Sequence, residues 1–200
     1  MSRSLTKNNY IARIAILSAI AAVLMLLEFP LPFVAPDFYK LDFSEVPVLI
    51  GGFLMGPLAG CLIELVKVLL NFIINGTVTA GVGEFANLIV GCAFVCPVAW
   101  VYKKSTGTKG MVVGLIVGVV SLVVVSALMN YYLLLPAYSK AFGMPLEAFV
   151  QIGNAVNSSI VDLRGFILLA VVPFNCIKGI LMSIISGILY ARIGKALARY

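Results

Sequence analysis

Asn175 and Lys178 lie three residues apart in "VPFNCIKGILMSII", an apolar stretch spanning residues 172–185. A carboxamide offers two donor hydrogens and an acceptor oxygen, an ammonium three donors and no acceptor. On one helical face such a pair can hold the polar edge of a solute, which is the chemistry of recognition rather than of bond-making. Other polar groups stand equally alone: Glu64 and Lys67 in "IELVKVLLNF", Glu84 and Asn87 in "GVGEFANLIVG", and Asn130 in "ALMNYYLLLPAY". In hydrocarbon such groups are costly, so they read as functional wherever they cannot snorkel to an interface. Glu64 and Lys67 share a face and can satisfy each other, which favours a structural ion pair over a ligand contact. Glu84 and Asn87 open a helix under a Gly-rich lead-in, and first-turn capping explains them as well as site lining does.

Bond-making chemistry has little to draw on. The chain has no His, which removes the commonest general base, and no Gly-rich phosphate loop ending in Lys-Ser/Thr, so neither enzyme nor ATPase is expected. Cys61, Cys92, Cys96 and Cys176 all fall in or beside apolar runs. Cys92 and Cys96 are one turn apart, but without His partners they read as packing residues, and no metal site or catalytic cofactor is expected.

The elements that carry these residues follow from composition. Of 200 residues 62% are hydrophobic and 11% charged, with mean hydropathy +1.12, which places the chain in lipid. Continuous rather than alternating apolar runs select helices over a barrel. The expected fold is a single all-α membrane domain over 1–200, a six-transmembrane-helix bundle with spans at about 9–29, 45–58, 60–74, 84–103, 109–134 and 166–192. Gly56, Pro57 and Gly60 separate the second and third helices by one tight turn.

Positive charge sets the orientation. Arg3, Lys7 and Arg13, then Lys103, Lys104 and Lys109, then Arg192, Lys195 and Arg199 share one side if six helices alternate. Both termini are therefore expected in the cytoplasm of a multi-pass cell-membrane protein. The net charge of +6 is accounted for by that topology, and nucleic acid is not expected as a partner. The outer halves of helices four to six then gather an acid, three carboxamides and an ammonium beneath an outer segment rich in Phe, Tyr and Pro. That inventory suits a flat, apolar solute edged with amide-like groups. In the first helix, Ala15-x-x-x-Ala19 and Ser18-x-x-x-Ala22 are small residues one turn apart that admit the close approach of another helix, from a partner or from the same bundle.

The stretches "FYKLDFSEVPVLIGGFLMGPLAG", "GVGEFANLIVG", "NYYLLLPAY" and "PFNCIKGI", in this order over nearly the whole chain, resemble the riboflavin-specific substrate-binding subunits (S components) of energy-coupling factor (ECF) vitamin transporters. The resemblance implies a carrier without a motor: riboflavin is captured outside and delivered through a transmembrane coupling subunit of the EcfT type and two ATPase subunits. It implies that Asn130, Asn175 and Lys178 hold the flavin edge, that Tyr39, Lys40, Leu41 and Asp42 close over it, and that Glu84 and Asn87 add to the wall. It also implies docking on the coupling subunit through the small-residue face of Ala15, Ser18, Ala19 and Ala22. Flavin mononucleotide stays open as a second ligand. The alternatives are an S component for another vitamin and an autonomous ion-coupled solute transporter, although no repeat relates the two halves of the chain as the latter would require.

Overall fold

The structure, a computed structural model, describes residues 7–77 and 81–197. Arg3, Arg199 and the side chain of Lys195, used above for orientation, lie outside the described residues.

The chain runs α1 (Lys7–Leu26), a hairpin of β1 (Phe29–Pro30) and β2 (Lys40–Leu41), α2 (Glu45–Met55), α3 (Pro57–Asn75) and α4 (Val82–Lys104). A long helix, α5, follows as Thr108–Met129, a π turn Asn130–Leu134 and Leu135–Phe142, and then α6 (Leu146–Val156). The last rod, α7, joins Leu163–Phe166, a π turn Ile167–Val171 and Val172–Leu197. Five of these helices are long and apolar enough to cross a membrane. The sixth expected span, α2, has 11 residues and at 1.5 Å per residue reaches roughly half of the hydrocarbon thickness. It survives because it never meets lipid: residues 45–53 are all buried, and α1, α3, α4 and α7 pack around it.

Three sequence expectations shift. The break between α2 and α3 falls at Gly56, whose φ of 94° lies where a side chain would be strained. The fold is not purely helical, since Phe29 pairs with Leu41 and Pro30 with Lys40 in a short antiparallel ladder. The fifth expected span, set to end near 134, runs on as α5 to Phe142, and α6 follows, so the segment between the expected spans 109–134 and 166–192 is largely helical.

Both π turns have a cause in the sequence. Pro136 and Pro173 lack the N–H that an α-helix needs, and their rings crowd the carbonyl four residues back. Each helix widens in the turn just ahead of its proline, with Leu135 N–H donating to Asn130 O and Val172 N–H to Ile167 O. Asn130 opens the first widened turn, and Asn175 lies one turn beyond the second, its Nδ2 donating to the last carbonyl of that turn, Val171 O.

Glycines let the rods close up. An added Cβ on Gly52 or Gly60 would stand 2.8 or 2.5 Å from Val95 Cγ2, so α2, α3 and α4 meet nearly backbone to backbone. The outer surface is apolar instead of polar: Ile16, Val23, Ile116, Val120, Leu128, Ile180 and Ile184 are all exposed, as expected where lipid is the solvent. Because α1 ends at the hairpin and α4, α5 and α7 alternate in direction, Lys7, Lys103, Lys104, Lys109 and Arg192 collect at one end of the bundle. The cavity described next lies toward the other.

Candidate functional site

The hairpin, α1, α4, α5, α6 and α7 enclose a cavity of about 620 Å³, within the range that holds a small molecule. Tyr39, Lys40, Asp42, Asn87, Asn130, Asn175 and Lys178 all line it, so seven of the nine expected ligand residues share one chamber. Leu41 and Glu84 do not. Leu41 is 1% exposed and belongs to the core, because its place in the ladder turns it away from the residues on either side. Glu84, in the first turn of α4, accepts a hydrogen bond from Thr77 Oγ1 at 3.1 Å.

One wall is polar. Tyr39 Oη donates to Asn130 Oδ1 at 2.5 Å, and Asn130 Nδ2 donates to Ser126 O at 2.9 Å. Ser126 Oγ donates to Asn175 Oδ1 at 3.1 Å, and Asn175 Nδ2 donates to Val171 O at 2.8 Å. Each carboxamide is thereby fixed in orientation by a backbone carbonyl four residues back, while one N–H and one acceptor position of each remain for a solute. Lys178 Nζ stands 3.1 Å from Asp42 Oδ2, with its side chain 13% exposed into the chamber. The chamber is also lined by aromatic rings: Phe38, Phe142, Phe149 and Phe174 contribute to it, and Tyr39 lies 5.6 Å from Phe174 between ring centroids.

Asp42 ties this wall to the interior of the bundle. Ser44 N–H donates to its Oδ1 at 2.7 Å. Ser44 Oγ accepts from Lys67 Nζ at 3.2 Å, which also meets Glu45 at 2.9 Å and Glu64 at 2.7 Å. Lys67 and Glu64 therefore are not a pair satisfied between themselves, as the sequence suggests, since Glu45 and Ser44 share the ammonium. Burial alone would raise the Asp42 carboxyl, but the ammoniums of Lys178 and Lys67 and the Ser44 bonds outweigh it and hold it below its ordinary value. Burial, helped by Tyr138, pushes the Tyr39 phenol well above its ordinary value, so it stays a neutral donor.

Ser126, Glu45, Phe149 and Phe174 were not singled out in the sequence. Ser126 lies four residues before Asn130 on the same face, the one spacing signal that points to it. The small-residue face of α1 divides: Ala15 and Ala19 are exposed, whereas Ser18 and Ala22 are buried, with Ser18 Oγ 3.4 Å from Ile63 O on α3. Cys61 and Cys96 bring their sulfurs to 3.0 Å across α3 and α4, and among the described residues no cluster of three or more His, Cys, Asp or Glu could hold a metal.

Known proteins give this geometry its family. The model of the ECF transporter substrate-specific component matches residues 9–190. The chain belongs to that family. This S component is 37% identical over 196 residues to the riboflavin transporter RibU of Staphylococcus aureus (strain TCH60), covering 98% of this chain and 96% of that protein. It is 36% identical over 181 residues to the riboflavin transporter FmnP of Bacillus subtilis (strain 168), covering 90% and 89% of the two. A solved chain described as the S component of a bacterial ECF transporter superposes with a TM-score of 0.74 at 35% identity, covering 96% of this chain and 99% of that one. The S component is a multi-pass membrane protein of a transporter, not an enzyme.

Proposed function

We propose that this S component captures riboflavin at the bacterial cell membrane, in the chamber between the hairpin and α4 to α7. The observation that carries the reading is that Asn130, Asn175 and Lys178 line one chamber together with the rings of Phe38, Tyr39, Phe142, Phe149 and Phe174. An isoalloxazine edge alternates carbonyl acceptors with an imide N–H, which the free donor and acceptor positions of two carboxamides and an ammonium complement. Its flat ring system suits the chamber's phenyl groups. Tyr39, Lys40 and Asp42 roof the site and Asn87 closes its side, while Leu41 and Glu84 support it from outside the chamber. Two relatives bear the name riboflavin transporter, and flavin mononucleotide, with the same ring edge, is a second ligand to test.

In this reading residues 1–200 form one domain of six membrane helices, α1 to α5 and α7, with α2 the short member, and both termini lie in the cytoplasm beside the basic end of the bundle. The chamber then opens outward. Release inside is driven by an EcfT-type coupling subunit with two ATPase subunits, which meet the exposed Ala15 and Ala19 of α1. The test is growth: a bacterium unable to make riboflavin, given this chain together with a coupling module, grows on scarce riboflavin, and the Lys178→Met variant does not. Growth that is indifferent to the chain overturns the proposal.

A further inference from the structure

A second cavity lies on the lipid-facing side of α5 and α7. It is a groove of about 520 Å³ in which Ser183 is the only polar lining residue. Val112, Ile116 and Val120 form one rim and Ile180, Ile184 and Ile188 the other, each set spaced by four residues and therefore a stripe along its helix. The helices are antiparallel and their level is fixed by two glycines. Gly179 faces Val119 and Leu122, and Gly187 faces Met111 and Leu115, so eight residues forward on α7 match about eight residues back on α5. Carrying the register one turn further sets Arg192 level with Lys109. Lys109 precedes Val112 by three residues, Arg192 follows Ile188 by four, and both are exposed. Each apolar rim thus ends in a cation, at the same end of the groove. Lys104, the next cation along, is engaged elsewhere, with its Nζ 3.6 Å from the centre of the Trp100 ring.

We infer that this groove is a binding site for an anionic phospholipid, with one acyl chain between α5 and α7 and the phosphate between Lys109 and Arg192. The lining favours an acyl chain: apart from Ser183 every lining residue is apolar, and the two rims run eight residues, roughly 12 Å, along their helices. The charge at its end favours an anionic headgroup: two cations with no acid on either rim attract a phosphate, and a zwitterionic headgroup would bring an ammonium of its own against them. The position fits as well, since the cations stand one turn beyond the last apolar rim residue, where headgroups begin.

The full chain in mild detergent, given equal phosphatidylglycerol and phosphatidylcholine of matched chains and read by native mass spectrometry, tests this. One phosphatidylglycerol is expected to be retained in preference, with retention falling roughly fivefold for each of Lys109→Gln and Arg192→Gln. Ser183→Phe, which fills the groove without touching charge, should abolish retention. A normal melting temperature and unchanged binding of added riboflavin, whose chamber lies at the other end, would show that these variants are folded. Equal retention of the two lipids, displacement by glycerol phosphate as readily as by whole phosphatidylglycerol, or occupancy of the groove by a helix of the coupling module instead of lipid would each overturn the inference.

Discussion

Asp42→Asn isolates what the roof of the chamber contributes. The substitution keeps the shape of the side chain and an oxygen for the Ser44 N–H, but removes the charge 3.1 Å from Lys178 Nζ. Breaking a wholly buried ion pair costs about 3–5 kcal/mol because the remaining charge is stranded. Here the side chains are 13% and 6% exposed and water reaches the chamber, so about 2 kcal/mol is the expected coupling. The assay is a double-mutant cycle with Lys178→Met, read by unfolding of the purified protein in detergent. Each single variant should lose stability, and the double variant should lose about 2 kcal/mol less than the sum. The pH dependence has a definite sign. The Asp42 carboxyl sits below its ordinary value in the folded protein, so its contribution is fully present above the ordinary carboxylate range, near 4, and fades as pH falls through the lower folded-state value. Asp42→Asn should lack this acid-side loss. Strict additivity of the two substitutions, or an unchanged acid limb in Asp42→Asn, would refute the pairing as an energetic link between hairpin and α7.

Three other outcomes follow from the geometry. Asn130→Leu and Asn175→Leu should each weaken riboflavin binding by about 1–3 kcal/mol, roughly fivefold to a hundredfold in a fluorescence titration, because a polar ligand edge is left unpaired. Gly91→Ala should destabilise the fold by about 1–3 kcal/mol in thermal unfolding, since the new Cβ would stand 2.3 Å from Glu64 Oε1 and push that carboxylate off Lys67. Ala15→Trp with Ala19→Trp should abolish co-purification with the coupling subunit while riboflavin affinity holds, whereas Ser18→Leu, directed into α3, should lower the melting temperature instead.

What could be read from the sequence depended on how local the signal was. Asn175, Lys178 and Asn130 stood out because a polar group within an apolar run needs a reason, and the chamber supplies one. The tight break near Gly56 and the start of α4 were equally plain from Gly and Pro. Other features are set by contacts between distant positions. Asp42 meets Lys178 across 136 residues, and no spacing rule reaches that far. Lys67 looked content with Glu64 because the two are neighbours on one helix, while Glu45 comes from another. The two faces of α1 read alike in sequence, and only the packing of α3 against Ser18 separates the buried face from the one carrying Ala15 and Ala19. Helix α2 looked like a span because it is wholly apolar inside, which burial in protein requires as much as burial in lipid does.

The most direct measurement is an equilibrium titration of the purified S component with riboflavin, following flavin fluorescence, with wild type and Lys178→Met side by side. The account predicts one site per chain, strong quenching by aromatic rings such as Tyr39 and Phe174, and at least tenfold weaker binding in the variant. Riboflavin fluorescence indifferent to the wild-type protein, or an affinity that Lys178→Met leaves unchanged, would contradict it.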